Sequence, residues 1–241
     1  MPSPRLPLTL IVAATPSLGI GRAGTLPWPP LKSEMAYFAR VTKRVPSSFL
    51  QGPKTVVSDP QNAIKEKQWL KNVVVMGRKT WESIPPRFRP LRGRVNVIVS
   101  GRGVLDGIAQ VTDKGEGIAQ EGRDEVLVFP SLERAVEGLE ERRGENEGFV
   151  PARVFVIGGE MLYRAALAMA QTRYVLLTKV GREFECDAFF PVNLEGEEGK
   201  ERGWERKGRE ELSAFVGEEV GEREREEVDG GVDFEFCLFE R

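Results

Sequence analysis

Val73-Val74-Val75-Met76-Gly77-Arg78-Lys79-Thr80-Trp81 is the stretch on which the fold turns. Four apolar residues in a row, three of them β-branched, read as a strand covered on both faces, because a strand with one wet face would alternate. Gly77 ends the run, and residues 79–84 suit a short helix. The same order of strand, glycine and helix returns at Val154-Phe155-Val156-Ile157-Gly158-Gly159-Glu160, with a helix-compatible run over 159–170. Working outward, further apolar runs lie at 8–14, 95–99, 126–129 and 174–178, separated by helix-compatible segments at 31–43 and 131–142. This alternation predicts an α/β fold, a three-layer α-β-α arrangement with helices on both faces of a mostly parallel central sheet and right-handed crossovers. Residues 232–239 (VDFEFCLF) alternate apolar and polar positions, as a strand of an antiparallel C-terminal hairpin does.

With roughly 150 residues per domain as a guide, 241 residues make one large domain or two small ones, and a single domain over 1–241 is expected. The chain is 40% hydrophobic and 30% charged, the balance of a soluble globular protein. It contains no histidine, which excludes Ser-His-Asp and Cys-His nucleophile systems, His-ligated metals and His acid–base catalysis. Two cysteines, Cys186 and Cys237, are too few for a disulfide framework or a four-thiolate zinc site, and no metal is expected. No apolar run approaches the length of a membrane span. The start of the chain faintly resembles a signal peptide, but Pro7 interrupts it and a buried first strand fits better. The location expected is the cytoplasm, with mitochondria and nucleus as alternatives.

Charge is divided along the chain. Residues 1–182 hold 27 Lys+Arg against 17 Asp+Glu, and residues 183–241 hold 8 against 20. A basic first part suits an anionic small ligand or a nucleic acid, although scattered charges also simply solvate a surface. Two segments read as insertions. Residues 45–71 carry Pro46, Gly52, Pro53 and Pro60 and are expected to form a long loop. Residues 195–231 hold 14 Asp+Glu and 7 Lys+Arg, with few apolar anchors beyond Trp204, Leu212, Phe215 and Val216, and partial disorder is expected there. No motif falls inside this acidic stretch, so removing Glu218–Asp229 is expected to leave activity intact. The competing reading is that the acidic run folds back over the basic region and shapes the ligand entrance.

Gly19-Ile20-Gly21-Arg22-Ala23-Gly24 matches G-x-G-x-x-G, but three prolines among Pro27-Trp28-Pro29-Pro30 forbid the helix that a dinucleotide fingerprint must open. A mobile glycine loop after the first strand is expected instead. In 31–42, Leu31, Met35, Phe38 and Val41 fall on one helical face, and Glu34 projects beside it. A first-turn Glu also complements the helix dipole. A carboxylate against apolar walls is costly unless it meets a donor-rich partner such as an amidine-like heterocycle. Gly77-Arg78-Lys79-Thr80 and Gly158-Gly159, with Arg102 just beyond the 95–100 strand, describe together a dinucleotide carrying an extra phosphate.

Gly19-Ile20-Gly21, Leu26-Pro27-Trp28-Pro29-Pro30-Leu31-Lys32-Ser33-Glu34, Met76-Gly77-Arg78-Lys79-Thr80-Trp81-Glu82-Ser83-Ile84-Pro85, Arg89-Pro90-Leu91-Arg92-Gly93-Arg94, Val156-Ile157-Gly158-Gly159 and Asp187-Ala188-Phe189-Phe190-Pro191 occur in that order. Jointly they resemble the dihydrofolate reductase family, in its eukaryotic and filamentous-fungal form, over about residues 6–192 and again at the C-terminal hairpin, and the resemblance implies that the mostly parallel central sheet is mixed and eight-stranded. The resemblance implies NADPH-dependent reduction of 7,8-dihydrofolate to tetrahydrofolate for one-carbon metabolism, by a monomer open to antifolates such as methotrexate. No nucleic-acid or membrane partner is implied. The alternatives are the related pyrimidine reductase of riboflavin synthesis and a non-enzymatic basic protein that binds RNA or another partner.

The resemblance also implies roles. Glu34, with Thr178 behind it, would hold the pterin, and Leu26 and Trp28 would complete the catalytic set. Ile11, Val12, Met35, Phe38, Ile84, Phe88, Leu91, Arg94, Ile157 and Tyr163 would contact substrate, Arg94 through the carboxylate of its glutamate tail. For NADPH, Ala13 and Ile20 would flank the nicotinamide, with Tyr163 near it. Gly21, Gly24, Thr25, Gly77, Arg78, Lys79, Thr80, Ser83, Ser100, Arg102, Gly158, Gly159, Glu160, Met161 and Leu162 would complete the cofactor site. Three departures stand out: Gly101 intervenes before Arg102 and leaves its 2′-phosphate contact open, Phe88 makes the substrate rim more apolar, and Met35 stands where vertebrate relatives often have an aromatic.

Overall fold

A computed structural model describes residues 5–46, 69–102, 126–143, 148–228 and 230–241. The body of the expected 45–71 loop and residues 103–125 lie outside the described residues. The strands are β1 (Leu8–Ala14), β2 (Gly19–Gly21), β3 (Trp69–Gly77), β4 (Val95–Val99), β5 (Val126–Phe129), β6 (Phe149–Val156), β7 (Thr172–Val180), β8 (Ala188–Phe189), β9 (Glu205–Arg206), β10 (Glu224–Glu226) and β11 (Val232–Glu240). The helices are α1 (Lys32–Lys43), α2 (Arg78–Ser83), α3 (Leu132–Arg142), α4 (Glu160–Ala168), α5 (Glu197–Glu201) and α6 (Arg209–Val216). Eight strands follow the order β10-β11-β7-β1-β6-β3-β4-β5, and β9 adds a ninth beside β11. Pairing is parallel from β7 through β5 and antiparallel at β11, β10 and β9.

The continuous apolar runs make two cores by sending alternate residues to opposite faces. Leu8, Leu10, Val12, Val73, Val75, Val154 and Val156 meet α3 and α4 on one side. Ile11, Val74, Met76, Ile98 and Phe155 meet α1, α2 and α6 on the other. Each such side chain, fully buried, contributes about 1.5–3 kcal/mol.

The structure corrects the sequence reading in five places. The 45–71 loop ends early, because Trp69-Leu70-Lys71 already belong to β3. β6 starts at Phe149 rather than Val154. Pro151 is tolerated inside it because β1 joins only at Val154 and the β3 register shifts between Lys71 and Val73. The glycine segment after β1 is β2, paired with β8 and closed by Asp187, whose amide donates to Gly21 O at 2.9 Å and whose carboxylate accepts from Ala23 N at 2.8 Å. On α1, Leu31, Tyr37 and Val41 face the core, while Met35 is 49% exposed.

The fifth correction concerns the described residues of 195–231, which are built of α5, β9, α6 and β10 rather than being loosely ordered, with Trp204, Leu212, Val216 and Val220 buried. The glycines that argued against a long helix separate short elements. Gly196 and Gly208 precede α5 and α6, and Gly217 ends α6 in the left-handed conformation at φ 74°. Trp204 is 2% exposed in the core, under the Arg241 guanidinium at 4.7 Å, and its indole N–H has no acceptor among the described residues. Trp204→Ala should therefore cost about 3–5 kcal/mol in urea unfolding. Trp204→Phe should cost much less, since no hydrogen bond is lost. Equal losses would show that the segment does not depend on packing at this ring.

Candidate active site

Pairing of β1 with β6 covers only Leu8–Leu10, whereas pairing with β7 runs on to Ala14. Beyond Val156 the chain leaves β6 through Ile157-Gly158-Gly159, so the sheet parts between β1 and β6. A cavity of about 1930 Å³ opens there, at the carboxyl ends of β1, β3, β4 and β6. Open α/β sheets bind ligands in this crevice. The volume exceeds the roughly 300–1,000 Å³ of an ordinary small-molecule pocket, which leaves room for two ligands side by side. A second cavity, about 410 Å³ and lined by Lys179, Glu195 and Arg223, gathers none of the motif residues.

Two strand-to-helix junctions form one end of the large cavity. Gly77 N donates to Gly158 O at 2.8 Å, and Ile157 N to Val75 O at 2.9 Å, so the two glycine turns are knit together. Gly158 has φ +131°, and a Cβ there would stand 3.4 Å from Thr80 Oγ1 and 3.6 Å from the Tyr163 hydroxyl. Only glycine suits this backbone. The Gly158–Gly159 bond is cis. The N-terminus of α4 follows at once, with no side chain capping it. Arg78, Lys79 and Thr80 stand across from it on the cavity wall, Arg78 paired with Glu82 at 2.7 Å. Arg102 also reaches the wall beside Ser100, so the extra Gly101 has not carried it away. The lining holds seven Lys+Arg (Lys43, Arg78, Lys79, Arg87, Arg92, Arg94, Arg102) against four Asp+Glu (Glu34, Glu133, Glu160, Asp187), which favours anionic ligands. A dinucleotide phosphate fits this cradle.

The other end carries much of the apolar lining, with Glu34 and Arg94 set among it. Leu26, Met35, Phe38, Ile84, Phe88 and Leu91 line it, with Leu26 and Phe88 half exposed at the rim. Glu34, in the first turn of α1, accepts a hydrogen bond from Thr178 Oγ1 of β7 at 3.3 Å. Burial pushes its carboxyl up to about 7, against the Thr178 hydrogen bond and with help from the charge of Glu226. Arg94 is buried, donates to Thr42 Oγ1 at 2.6 Å and lies 5.8 Å from the Phe38 ring centre. The Tyr163 hydroxyl donates to Ile11 O at 2.8 Å, and burial raises its pKa, keeping it a neutral donor. One lone pair of the Ile11 carbonyl is thereby committed within the protein.

All the site residues expected from sequence line this cavity except Thr178, which touches Glu34 from behind, and Trp28. Trp28 is buried with its ring edge against Phe184, so it supports the Leu26–Leu31 turn rather than the cavity surface. Sequence reasoning missed Pro130 and Ser131 on the wall. They form a third strand-to-helix junction, and Ser131 accepts from Arg134 N at 3.3 Å as the cap of α3. A serine before an amphipathic run was the available signal.

A family model described as dihydrofolate reductase matches residues 54–214. The dihydrofolate reductase of Pneumocystis carinii is 37% identical over 234 residues, covering 97% of this chain and 96% of that protein. That of Schizosaccharomyces pombe is 32% identical over 219 residues, covering 89% of this chain and 42% of the longer yeast protein. Among solved structures, Schistosoma mansoni dihydrofolate reductase matches with a TM-score of 0.64 and 28% identity, over 98% of this chain and 99% of that one.

The raised pKa of Glu34 has a thermodynamic consequence in the ligand-free protein. Below about 4.5 the carboxyl is protonated both folded and unfolded, and it costs nothing. Between about 4.5 and about 7 the unfolded chain releases the proton first, so folding loses stability as pH rises, and above that range the loss is complete. Glu34→Gln should be more stable than the parent by on the order of 2–3 kcal/mol at about pH 8, with the gap closing toward about pH 4.5. Urea unfolding at both pH values measures it, and a gap independent of pH would show that Glu34 ionises as an ordinary surface carboxylate.

Proposed function

This chain belongs to the dihydrofolate reductase family and reduces dihydrofolate to tetrahydrofolate; from that premise we propose that NADPH is the reductant and that Glu34 is the carboxylate holding the pterin. The observation that carries the proposal is one continuous cavity with an isolated buried carboxyl at one end and a glycine-and-cation phosphate cradle at the other. When bound, NADPH supplies the hydride that passes from its nicotinamide to pterin C6.

The protein's own groups do the rest. Glu34 accepts from the pterin 2-amino group and N3, the donor pair that an apolar pocket with a lone carboxylate selects. Thr178 keeps one Glu34 oxygen in place. Glu34 organises the heterocycle while a water delivers the proton to N5, and Leu26, Phe38 and Ile84 limit further solvent. Arg94, planar and already oriented by Thr42 and Phe38, takes the carboxylate of the glutamate tail through paired hydrogen bonds. Ala13 and Ile20 would flank the nicotinamide. Arg78, Lys79, Thr80 and the amides of Gly159–Leu162 would hold phosphate, and Arg102 would take the 2′-phosphate. The same pocket accepts antifolates that carry a diamino heterocycle. The relatives named above favour neither the pyrimidine reductase alternative nor an RNA-binding protein. The site is composed for a soluble small-molecule substrate, and the cytoplasm is the proposed location.

Purified Glu34→Gln should keep its NADPH affinity and lose roughly 10²–10³-fold in turnover, followed by the fall in NADPH absorbance with dihydrofolate. Near-normal turnover would remove Glu34 from the role. The cations around the phosphate cradle should favour NADPH over NADH. One charge-assisted contact contributes about 1.5–3 kcal/mol, or roughly 10- to 150-fold in affinity. Titrating both dinucleotides in one buffer decides the point, and equal dissociation constants would contradict a 2′-phosphate site.

A further inference from the structure

Helix α1 carries Glu34, Met35 and Phe38 into the cavity, yet its own sequence does not cap it. The N-cap position is Leu31, which offers no side-chain oxygen, so the first amides of the helix need an outside acceptor. Glu226, the last residue of β10, provides it. Its carboxylate accepts from Lys32 N at 2.8 Å, from Ser33 N at 2.6 Å and from Ser33 Oγ at 2.5 Å. Burial acts against its ionisation, but the Ser33 and Lys32 hydrogen bonds outweigh this and hold its carboxyl below the usual range. β10 is itself fixed by antiparallel pairing with β11, Glu226 opposite Val232.

A second carboxylate of the same segment holds the other end of α1. Glu218, just past α6, accepts from Arg40 Nε at 3.0 Å and Nη2 at 2.9 Å, and lies 3.0 Å from Arg44 Nη2. Arg44 Nη1 also donates to Val216 O and Gly217 O, at 3.1 and 2.6 Å. Between the two grips Tyr37 stacks on Phe236 of β11, with ring centres 3.8 Å apart and planes 22° from parallel. The acidic run does fold back on the basic part of the chain, and it lands on α1 rather than at the cofactor entrance.

We propose that Glu226 is a positioning residue, seconded by Glu218: the acidic C-terminal segment fixes α1 at both ends and so places the Glu34 carboxylate for the pterin. The inference rests on Glu34 being the pterin-binding carboxylate. Removing 218–229, a change that composition alone marks as harmless, would delete both grips. A charge on Glu226 also favours the protonated form of Glu34. Among the described residues, the other titratable groups in electrostatic contact with Glu34 are the phenols of Tyr37 and Tyr163, both held neutral by burial, and Thr178 supplies the uncharged hydrogen bond.

Three full-length variants test this. Glu226→Leu removes cap and charge, and the KM for dihydrofolate should rise roughly three- to thirtyfold, the scale of a lost helix cap, with the NADPH dissociation constant unchanged. Glu226→Gln keeps an acceptor oxygen but no charge, so KM should stay near the parent while the pH midpoint of dihydrofolate binding shifts downward. Glu218→Gln should act in the same direction as Glu226→Leu and more weakly, because its partners are half exposed. A folded Glu226→Leu with unchanged KM, or with NADPH affinity falling in proportion, would overturn the proposal by making Glu226 irrelevant or merely structural. If Glu226→Leu does not fold, an unmoved midpoint in Glu226→Gln overturns it. Glu34→Gln separates the two readings: a midpoint that survives in that variant removes Glu34 from the pterin. A midpoint that disappears there but stands still in Glu226→Gln rejects only the positioning role.

Discussion

A single carboxyl group, Glu34, sits among apolar side chains with one hydroxyl from Thr178 as its neutral donor, and the architecture of the site follows from that expense. Withdrawing a carboxylate from water costs several kcal/mol unless donors replace the lost solvent, and one long hydrogen bond at 3.3 Å replaces little of it. The rise of its carboxyl pKa to about 7 is the visible part of that cost. A ligand that brings two donors in the plane of the carboxylate relieves it. On the role proposed for Glu34, specificity for the pterin edge is stored in the ligand-free fold as an unfavourable burial, at the expense of stability above neutral pH.

Such a group is useful only if it does not move, and the fold immobilises it from several directions. Thr178 comes from β7, in the middle of the sheet. Asn72, buried in β3, donates from Nδ2 to Thr42 O and Arg44 O, tying the end of α1 to the central strands. Tyr37 meets β11, and Glu226 and Glu218 come from the acidic segment. The parting of β1 from β6 opens the cavity, and the Gly77 and Gly158 turns bring the phosphate cradle to the same opening. The two ends of the cavity are therefore set by one piece of backbone geometry.

Much of this was legible in the residues. The strands at 95–99 and 126–129 and the helix at 131–142 lie within a residue of their observed bounds, because a strand buried on both faces and a strongly amphipathic helix leave plain patterns. Glu34 was legible as a carboxylate beside an apolar face, and the two glycine junctions as turns that the structure brings together on one cavity wall. Pro151 hid the first half of β6, since its missing amide matters only where a neighbouring strand would use it. The acidic segment misled for a different reason. Its high charge and glycine content suggested disorder, but its partners, Lys32, Ser33, Arg40 and Arg44, lie more than 170 residues away, and local composition carries no trace of them. Trp28 misled in the opposite sense, because a motif position marks it without saying whether the ring faces the cavity or supports the turn.

The claim that Glu34 is held as a buried, proton-retaining carboxyl can be examined without any catalytic assay. Carbon-13 NMR of the ligand-free protein labelled at glutamate side-chain carboxyls, with the resonance assigned by its absence in Glu34→Gln, follows this one group through a pH titration. The account predicts a midpoint near 7, and disappearance of that titration into a fixed ionised shift when a pterin is bound. A midpoint in the ordinary range around 4.5 would contradict it, since the carboxyl would then be solvated and would store nothing for the pterin to relieve.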